Sequence, residues 1–299
     1  MPTHDTVITK KLSGKKVAQF VYSDLEKRIS SLAQNGVIPT LAAVIVGSDP
    51  ASQVYVRSKM RKFRKLGLNS KTFFLSGKST SEEIVSEIKG LNNDDRFHGI
   101  LVQLPLPDGI DSNAVLRSVS VKKDVDGFHP ENVGLLSYGN PRFIPCTPKG
   151  IFRILQYYGI ETMGKHAVVV GRSNIVGRPI SAILSAKSRD ANATVTICHS
   201  KTDDLSSYTQ QADILIASAG IPGLINGEMI SNGAVVIDVG ITRVDDRSDK
   251  GYSLVGDVDA HSVDGIAGAL TPVPGGVGPM TIAMLVENTV EAAERSILT

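Results

Sequence analysis

Val17, Phe20, Val21, Leu25, Ile29 and Leu32 recur at three- and four-residue spacing, which predicts an amphipathic helix with these side chains inward, ending near Asn35-Gly36. Leu41-Ala-Ala-Val-Ile-Val46 is apolar without a break, as a strand covered on both faces is, and Gly47-Ser-Asp-Pro50 stops it. A second helix follows, with Ser52 as its N-cap, and continues through Leu66. Ser70–Leu75 predicts another strand. Thr80-Ser-Glu-Glu83 is a capping box opening a helix to about Leu91, and Gly99–Leu104 is a third strand, ended by Pro105 and Pro107. This alternation implies an α/β domain with a parallel sheet covered by helices.

The alternation restarts further on. Thr147 and Pro148 read as the N-cap and first position of a helix that reaches about Tyr158-Gly159, where the domain hinge is placed. Lys165–Val170 predicts a buried strand, followed by a glycine turn from Gly171 to Gly177 and a helix from about Val176 to Ala186. Thr194–Cys198, Asp213–Ala217 and Ala234–Asp238 continue the pattern, so residues 166 to 240 predict a doubly wound, Rossmann-like half-fold. Asp245–Asp249 reads as a solvated loop or hairpin tip. Thr271–Thr281 packs three prolines and three glycines into eleven residues, which predicts an irregular, fixed loop that a ligand approaches closely. The last helix, from about Met280 to Leu298, carries Ile282, Leu285, Val286, Val290 and Ala293 on one face.

Composition narrows the partners. The 299 residues are 41% hydrophobic and 21% charged, an ordinary composition with length for two domains. A net charge of +2 gives no global pull toward nucleic acid or a membrane surface, so neither is an expected partner. Cys146 and Cys198 lack CxxC spacing and no cluster has metal-ligand spacing, so reduced thiols and no metal are expected. No apolar run approaches the roughly 18 residues of a membrane span, and no targeting peptide is recognisable, which leaves the cytoplasm as the expected compartment.

Candidate chemistry sits where predicted strands end. Tyr55 and Lys59 are four residues apart on one helix face, a phenol beside an ammonium whose pKa falls readily on burial. Gln103 stands beyond the carboxyl end of a strand, where α/β sheets bind ligands. Lys123-Asp124-Val-Asp126-Gly127 sets two carboxylates two residues apart in a loop, either an Asx-turn or part of a site. A strand, glycine turn and helix start at Gly171-Arg-Ser-Asn-Ile-Val-Gly177 form an anion cradle, although the spacing is not G-x-G-x-x-G and an ordinary βα turn fits as well. The next strand ends in His199-Ser-Lys-Thr202 with no acidic residue for a ribose. Ser200 and Lys201, with Arg172, are suited to a 2′-phosphate, so NADP is expected over NAD. Arg57, Lys59, Arg61, Lys62, Arg64 and Lys65 contain no acid among them and form either a solvated face or a landing strip for an anionic tail.

Taken in order, Tyr55-Val-Arg-Ser-Lys59, Val102-Gln-Leu-Pro-Leu-Pro107, Lys123-Asp-Val-Asp-Gly127, Val170-Gly-Arg-Ser173, His199-Ser-Lys-Thr202 and Thr271–Thr281 closely resemble the bifunctional methylenetetrahydrofolate dehydrogenase/cyclohydrolase (FolD) family over essentially the whole chain. The resemblance implies NADP-dependent oxidation of 5,10-methylenetetrahydrofolate and hydrolysis of the methenyl product to 10-formyltetrahydrofolate. It implies a folate-binding catalytic domain of residues 1–149 and 279–299, a Rossmann-like NADP-binding domain of residues 150–278, the C-terminal helix returning to the first domain, and a homodimer. By position, Lys59 is the implied catalytic lysine, Tyr55 stacks on the folate rings, Gln103 holds the lysine and Asp126 grips the pterin. The implied folate pocket is completed by Val56, Arg57, Ser58, Val102, Leu104, Pro274, Gly275, Gly276, Val277, Gly278, Pro279, Met280, Thr281 and Ile282. Gly171, Arg172, Ser173, Ser200, Ile241 and Thr147 are the implied NADP contacts.

Two rival readings remain at this level. Tyr-x3-Lys also marks short-chain dehydrogenases, but there it follows the glycine-rich turn, whereas here it precedes Gly171 by over a hundred residues. A catalytically silent folate- or NADP-binding regulator has no need of the Tyr55, Lys59, Gln103 and Asp126 set.

Overall fold

The computed structural model describes residues 8–246 and 251–297. In chain order its elements begin with β1 (Lys10–Lys11), α1 (Gly14–Gln34), β2 (Thr40–Val46), α2 (Pro50–Lys65), β3 (Asn69–Leu75), α3 (Ser81–Asn92), β4 (Gly99–Val102), α4 (Ser112–Ser118) and α5 (Pro130–Ser137). They continue with α6 (Cys146–Tyr157), β5 (His166–Val170), α7 (Gly177–Ser185), β6 (Thr194–Cys198), α8 (Leu205–Thr209), β7 (Ile214–Ala217) and β8 (Val235–Asp238). Last come β9 (Thr242–Asp245), β10 (Tyr252–Val255), α9 (Ala260–Val263), β11 (Ala269–Leu270) and α10 (Val277–Ile297). The chain divides into two compact units: residues up to Gln19 with Thr147–Thr281, and Phe20–Cys146 with residues from Ile282 onward.

In the unit holding Phe20–Cys146, a parallel sheet runs in the order β3-β2-β4. The unbroken apolar run makes β2 the central strand, and Leu41, Ala42, Ala43 and Val44 are fully buried at 0% exposure. β4 ends at Val102, two residues before the predicted end. Gln103 N still donates to Val44 O at 2.9 Å, after which Pro105 has no N–H to offer. Residues 123–125 run beside β4, with Ile100 N donating to Lys123 O at 2.7 Å. Gly99 permits this, because a Cβ there would stand 2.7 Å from Val125 Cγ1.

Several helix starts and faces differ from the sequence reading. Asp49 caps α2 rather than Ser52: its carboxylate accepts from Ser52 N at 2.7 Å, and Pro50 takes the first turn, where a missing N–H costs nothing. Thr80 and Glu83 form the expected capping box on α3. On α1, Val17, Val21, Leu25 and Leu32 are buried but Phe20 is 64% exposed. At 100° per residue it points about 105° away from their mean direction, so the three-residue step from Val17 misled. Residues 283–290 of α10 are buried on every side, where a single apolar face was expected.

The unit holding Thr147–Thr281 carries a six-stranded sheet, β1-β11-β8-β7-β5-β6, parallel at every pairing. Successive strands leave β5 first toward β6 and then toward β7, so the order reverses at β5, the doubly wound arrangement that opens a ligand crevice at that point. Its core is aliphatic, with Val168, Leu215 and Val236 at 0% exposure. Beyond β8 the chain makes an antiparallel hairpin, β9-β10, at the predicted acidic loop; residues 247–250 of that loop lie outside the described residues. α6 starts at Cys146, which puts Thr147 inside the first turn instead of at the N-cap. Among the described residues no helix is long and apolar enough to cross a membrane.

Candidate active site

α2 sets Tyr55 and Lys59 one turn apart, and the end of β4 brings Gln103 to the same place. Lys59 is only 5% exposed. Its Nζ donates to Gln103 Oε1 at 3.0 Å and lies 4.4 Å from the centroid of the Tyr55 ring. Gln103 Nε2 donates to Leu104 O, which fixes the amide with its oxygen toward the amine. Burial pushes the Lys59 pKa below its usual range, since an ammonium loses its hydration there. The negative charge of Asp126 pushes back without cancelling the effect. The result is an amine that can give and take a proton nearer neutrality, held by an acceptor and a π-face.

The two loop carboxylates have separate jobs. Asp124, 4% exposed, accepts from Phe128 N (3.2 Å), His129 N (2.8 Å) and Asn132 Nδ2 (2.8 Å), so it is the Asx-type anchor of the loop. Asp126 belongs to the Lys59 group. Burial raises its pKa above the carboxylate range, while the Lys59 charge and a hydrogen bond from Cys146 oppose that rise. The loop is fixed from behind by Asn288 on α10, fully buried at 0% exposure, whose Nδ2 donates to Val125 O (2.7 Å) and Ile144 O (3.0 Å). Cys146 Sγ donates to the same Val125 O at 3.5 Å. Neither Asn288 nor Cys146 was singled out for the site. The available signal was the polar triplet Glu287-Asn288-Thr289 between the apolar stretches of the last helix.

Of the other expected folate contacts in this unit, Val56 and Val102 are buried, Ser58 and Leu104 are half-buried and Arg57 is exposed. The basic run is not a uniform face. Lys59 points inward, Lys62 Nζ lies over the Tyr22 ring at 4.2 Å, and Arg57, Arg61, Arg64 and Lys65 are left exposed.

Pro274 to Thr281 belong to the other unit, and Ile282 opens the return to the first. The segment is irregular only to Gly276, because α10 begins at Val277, a correction to the expected loop. Pro279 falls in the first helical turn, where backbone N–H groups have no intrahelical partner and a proline is tolerated. The turn is pressed on the start of α1: a Cβ on Gly14 would meet Gly276 O at 1.8 Å, and Lys15 N donates to Gly275 O at 3.2 Å. Thr147 Oγ1 and Thr281 Oγ1 share a hydrogen bond of 2.9 Å.

A second site is built at the carboxyl ends of β5 and β6, which pair with Val170 opposite Cys198. Gly171 has φ +127°, and a Cβ there would stand 2.4 Å from Ser218 O; one on Gly177 would stand 2.1 Å from Gly171 O. Only glycine fits either place. Ser173 Oγ accepts from Val176 N (3.1 Å) and Gly177 N (3.4 Å), which closes the turn leading into α7. Exposed beside this turn are Arg172, Ser200 and Lys201, the last two in a turn closed by Thr202 N donating to His199 O at 2.8 Å. A tight glycine turn at a helix N-terminus with adjacent cationic and hydroxyl groups fits a dinucleotide bearing an extra phosphate. Ile241, in the turn between β8 and β9, is 60% exposed. Among the described residues no group of histidine, cysteine and carboxylate side chains could hold a metal ion.

Known proteins give both units relatives. Residues 12–126 match the family model for the catalytic domain of tetrahydrofolate dehydrogenase/cyclohydrolase, and residues 145–297 match that for its NAD(P)-binding domain. The bifunctional protein FolD of Chlorobium chlorochromatii (strain CaD3) is 52% identical over 288 residues, covering 95% of this chain and 98% of that protein. That of Moorella thermoacetica is 53% identical over 284 residues, covering 95% and 98%. The chain is similar to the crystal structure of the bifunctional enzyme FolD from Campylobacter jejuni, with a TM-score of 0.91 at 46% identity over 96% of this chain and 99% of that one. It is similar also to the Trypanosoma brucei N5,N10-methylenetetrahydrofolate dehydrogenase-cyclohydrolase complexed with NADP cofactor and inhibitor, with a TM-score of 0.92 at 38% identity over 100% of both chains.

Proposed function

The chain belongs to the tetrahydrofolate dehydrogenase/cyclohydrolase family, and from that premise we propose that Lys59, Tyr55, Gln103 and Asp126 form the centre at which it handles a one-carbon folate. The protein is a bifunctional enzyme that oxidises 5,10-methylenetetrahydrofolate with NADP and hydrolyses the methenyl product to 10-formyltetrahydrofolate. This family membership, not a silent regulator or a short-chain dehydrogenase, accounts for both domain matches.

Bound NADP supplies the hydride acceptor; the chain supplies position. The carbon to be oxidised bridges two nitrogens whose lone pairs stabilise the cation left behind, so this step needs alignment more than acid–base help. Tyr55 offers a ring face on which the pterin stacks. Asp126 accepts from neighbouring ring N–H and amino donors in bidentate fashion, which fixes the ring in its plane. Hydrolysis is different. Water adds to the methenyl carbon and loses a proton, which neutral Lys59 takes; Lys59 then returns that proton to the departing ring nitrogen, and the carbon–nitrogen bond breaks as the adduct's hydroxyl proton leaves to solvent and the formyl C=O forms. Gln103 holds the amine through both transfers.

The observation that carries this reading is Lys59, buried at 5% exposure yet joined to Gln103 and facing the charge of Asp126. It is tested by initial rates of methylenetetrahydrofolate oxidation with NADP and NAD. NADP is expected to give at least about a tenfold higher kcat/KM, the worth of one charge-assisted contact to the 2′-phosphate. Reduction of neither cofactor would contradict the assignment.

Arg57, Arg61, Arg64 and Lys65 are proposed to receive the anionic glutamate tail of the substrate. KM for a polyglutamated substrate is expected to lie below that of the monoglutamate and to rise with salt, as exposed charges are screened within about 10 Å at 0.1 M. A KM indifferent to both tail length and salt would return this face to simple solvation. We also place the enzyme in the cytoplasm as a homodimer paired through the six-stranded unit, whose β6 edge leaves Ile197 40% exposed. Sedimentation as a monomer at micromolar concentration would contradict the pairing.

A further inference from the structure

Two buried carboxylates stand behind the dinucleotide site. Asp238, 4% exposed, ends β8, and Asp257, at 0%, follows the β9-β10 hairpin. Asp238 Oδ1 accepts from Gly240 N (3.0 Å) and Asp257 N (2.9 Å), and its Oδ2 accepts from Val258 N (3.1 Å). Thr271 Oγ1 accepts from Asp238 N at 2.7 Å. Asp257 Oδ2 in turn accepts from Ala219 N (2.6 Å) and Gly220 N (2.9 Å), the turn after β7. Its Oδ1 is buried without a hydrogen-bond partner among the described residues. The seats are cut to size: a Cβ on Gly240 would lie 2.2 Å from Asp257 Oδ1, and one on Gly256 would lie 1.8 Å from Asp238 Oδ2.

The turn that Asp257 holds is the one against which Gly171 is pressed, through Ser218 O. β5, β7 and β8 are neighbours in the sheet, so one chain of contacts links Asp238, Asp257, the 218–220 turn and the glycine turn of the cradle. Burial of two carboxylates this close is costly, and it lifts Asp238 to about 6. Backbone amides alone can be satisfied more cheaply by neutral side chains or water.

We propose that Asp257, seated by Asp238, is a positioning residue for NADP, setting the 218–220 turn so that the crevice at the carboxyl ends of β5 and β7 has the shape the dinucleotide needs. This rests on the reading that the six-stranded unit binds NADP. The hydrogen-bond pattern makes an asymmetric demand. At 257 a single oxygen takes both amide protons, so asparagine can keep both bonds, its NH₂ taking the place of the unpartnered Oδ1. At 238 both oxygens accept, so asparagine turns an N–H toward a backbone N–H.

The experiment measures NADP binding by calorimetry, and both activities, for wild type, Asp257→Ala, Asp257→Asn and Asp238→Asn. Asp257→Ala and Asp238→Asn are expected to weaken NADP binding by about tenfold or more and to raise the dehydrogenase KM for NADP alike. Asp257→Asn is expected to stay within about threefold of wild type, since its amide oxygen keeps both hydrogen bonds. Hydrolysis of methenyltetrahydrofolate, assayed without NADP, is expected to be unchanged in all three, because Lys59 and Asp126 lie in the other unit. Unchanged NADP binding in Asp257→Ala overturns the proposal, as does an Asp257→Asn variant as damaged as Asp257→Ala. Parallel loss of both activities with a lowered Tm would reduce the pair to a purely structural role and also overturn it. Wild-type protein that fails to bind NADP would overturn the cofactor reading together with this one, whereas the other failures fall on Asp257 alone.

Discussion

Replacing Lys59 by methionine is expected to lower the rate of methenyl hydrolysis by about 10²–10⁴-fold, the usual contribution of a positioned general acid–base, while NADP affinity stays at the wild-type value. Methionine keeps the length and apolar stem of lysine and removes only the titrating group, so α2 keeps its packing. Arginine at this position is expected to fail equally, because a guanidinium remains protonated throughout the accessible pH range. The pH dependence separates this role from a structural one. Burial lowers the Lys59 pKa in the folded state, so hydrolysis is expected to rise with pH as the amine loses its proton, well before an exposed lysine would titrate. The same shift has a sign in stability. Between the lowered folded value and the unfolded value of about 10.4, the unfolded chain binds more protons, so stability rises with pH across that window. In Lys59→Met that slope is expected to vanish. Hydrolysis at the wild-type rate in this variant would remove the amine from the mechanism.

Replacing Asp126 by alanine is expected to raise the folate KM by about 10²-fold or to abolish turnover, with NADP binding spared. Losing one partner of a desolvated, charge-assisted pair costs about 2–5 kcal/mol, because the donors of the other partner are left unpaired. The variant also touches Lys59. The Asp126 charge is what holds the amine's pKa up against burial, so its removal is expected to shift the pH profile of any residual hydrolysis to lower pH. Steady-state kinetics with both substrates, alongside calorimetry with NADP, checks this. A folded variant that loses NADP binding in parallel would count against the pterin role.

Most of the frame was legible in the sequence because it follows from one-dimensional patterns. The run Leu41–Val46 could only be a covered strand, and the alternation from His166 to Asp238 predicted a parallel, doubly wound sheet, while the place of its reversal, β5, came from the strand pairing. Boundaries were less legible where a cap or a proline competes with periodicity. Asp49 outbid Ser52 because Pro50 extends the helix toward it, and Pro279 was read as a breaker although the first turn accepts it. The edge strand Lys10–Lys11 has no apolar signature at all, being two lysines held by backbone pairing to β11. Tyr55 and Lys59 were readable from helical spacing, but Gln103 and Asp126 join them only through the parallel register of β4 with β2 and the bridge from Ile100 to Asp124. Asn288, Cys146, Asp238 and Asp257 act through contacts between residues far apart in the chain, which no local pattern encodes.

The most direct test of the central claim is a single time course with 5,10-methylenetetrahydrofolate and NADP, following reduced-cofactor absorbance and then the methenyl chromophore. One enzyme is expected to reduce NADP and then to remove the methenyl species faster than an enzyme-free blank. Cofactor reduction followed by decay no faster than the blank would leave a dehydrogenase alone and contradict the assignment of Lys59 to hydrolysis.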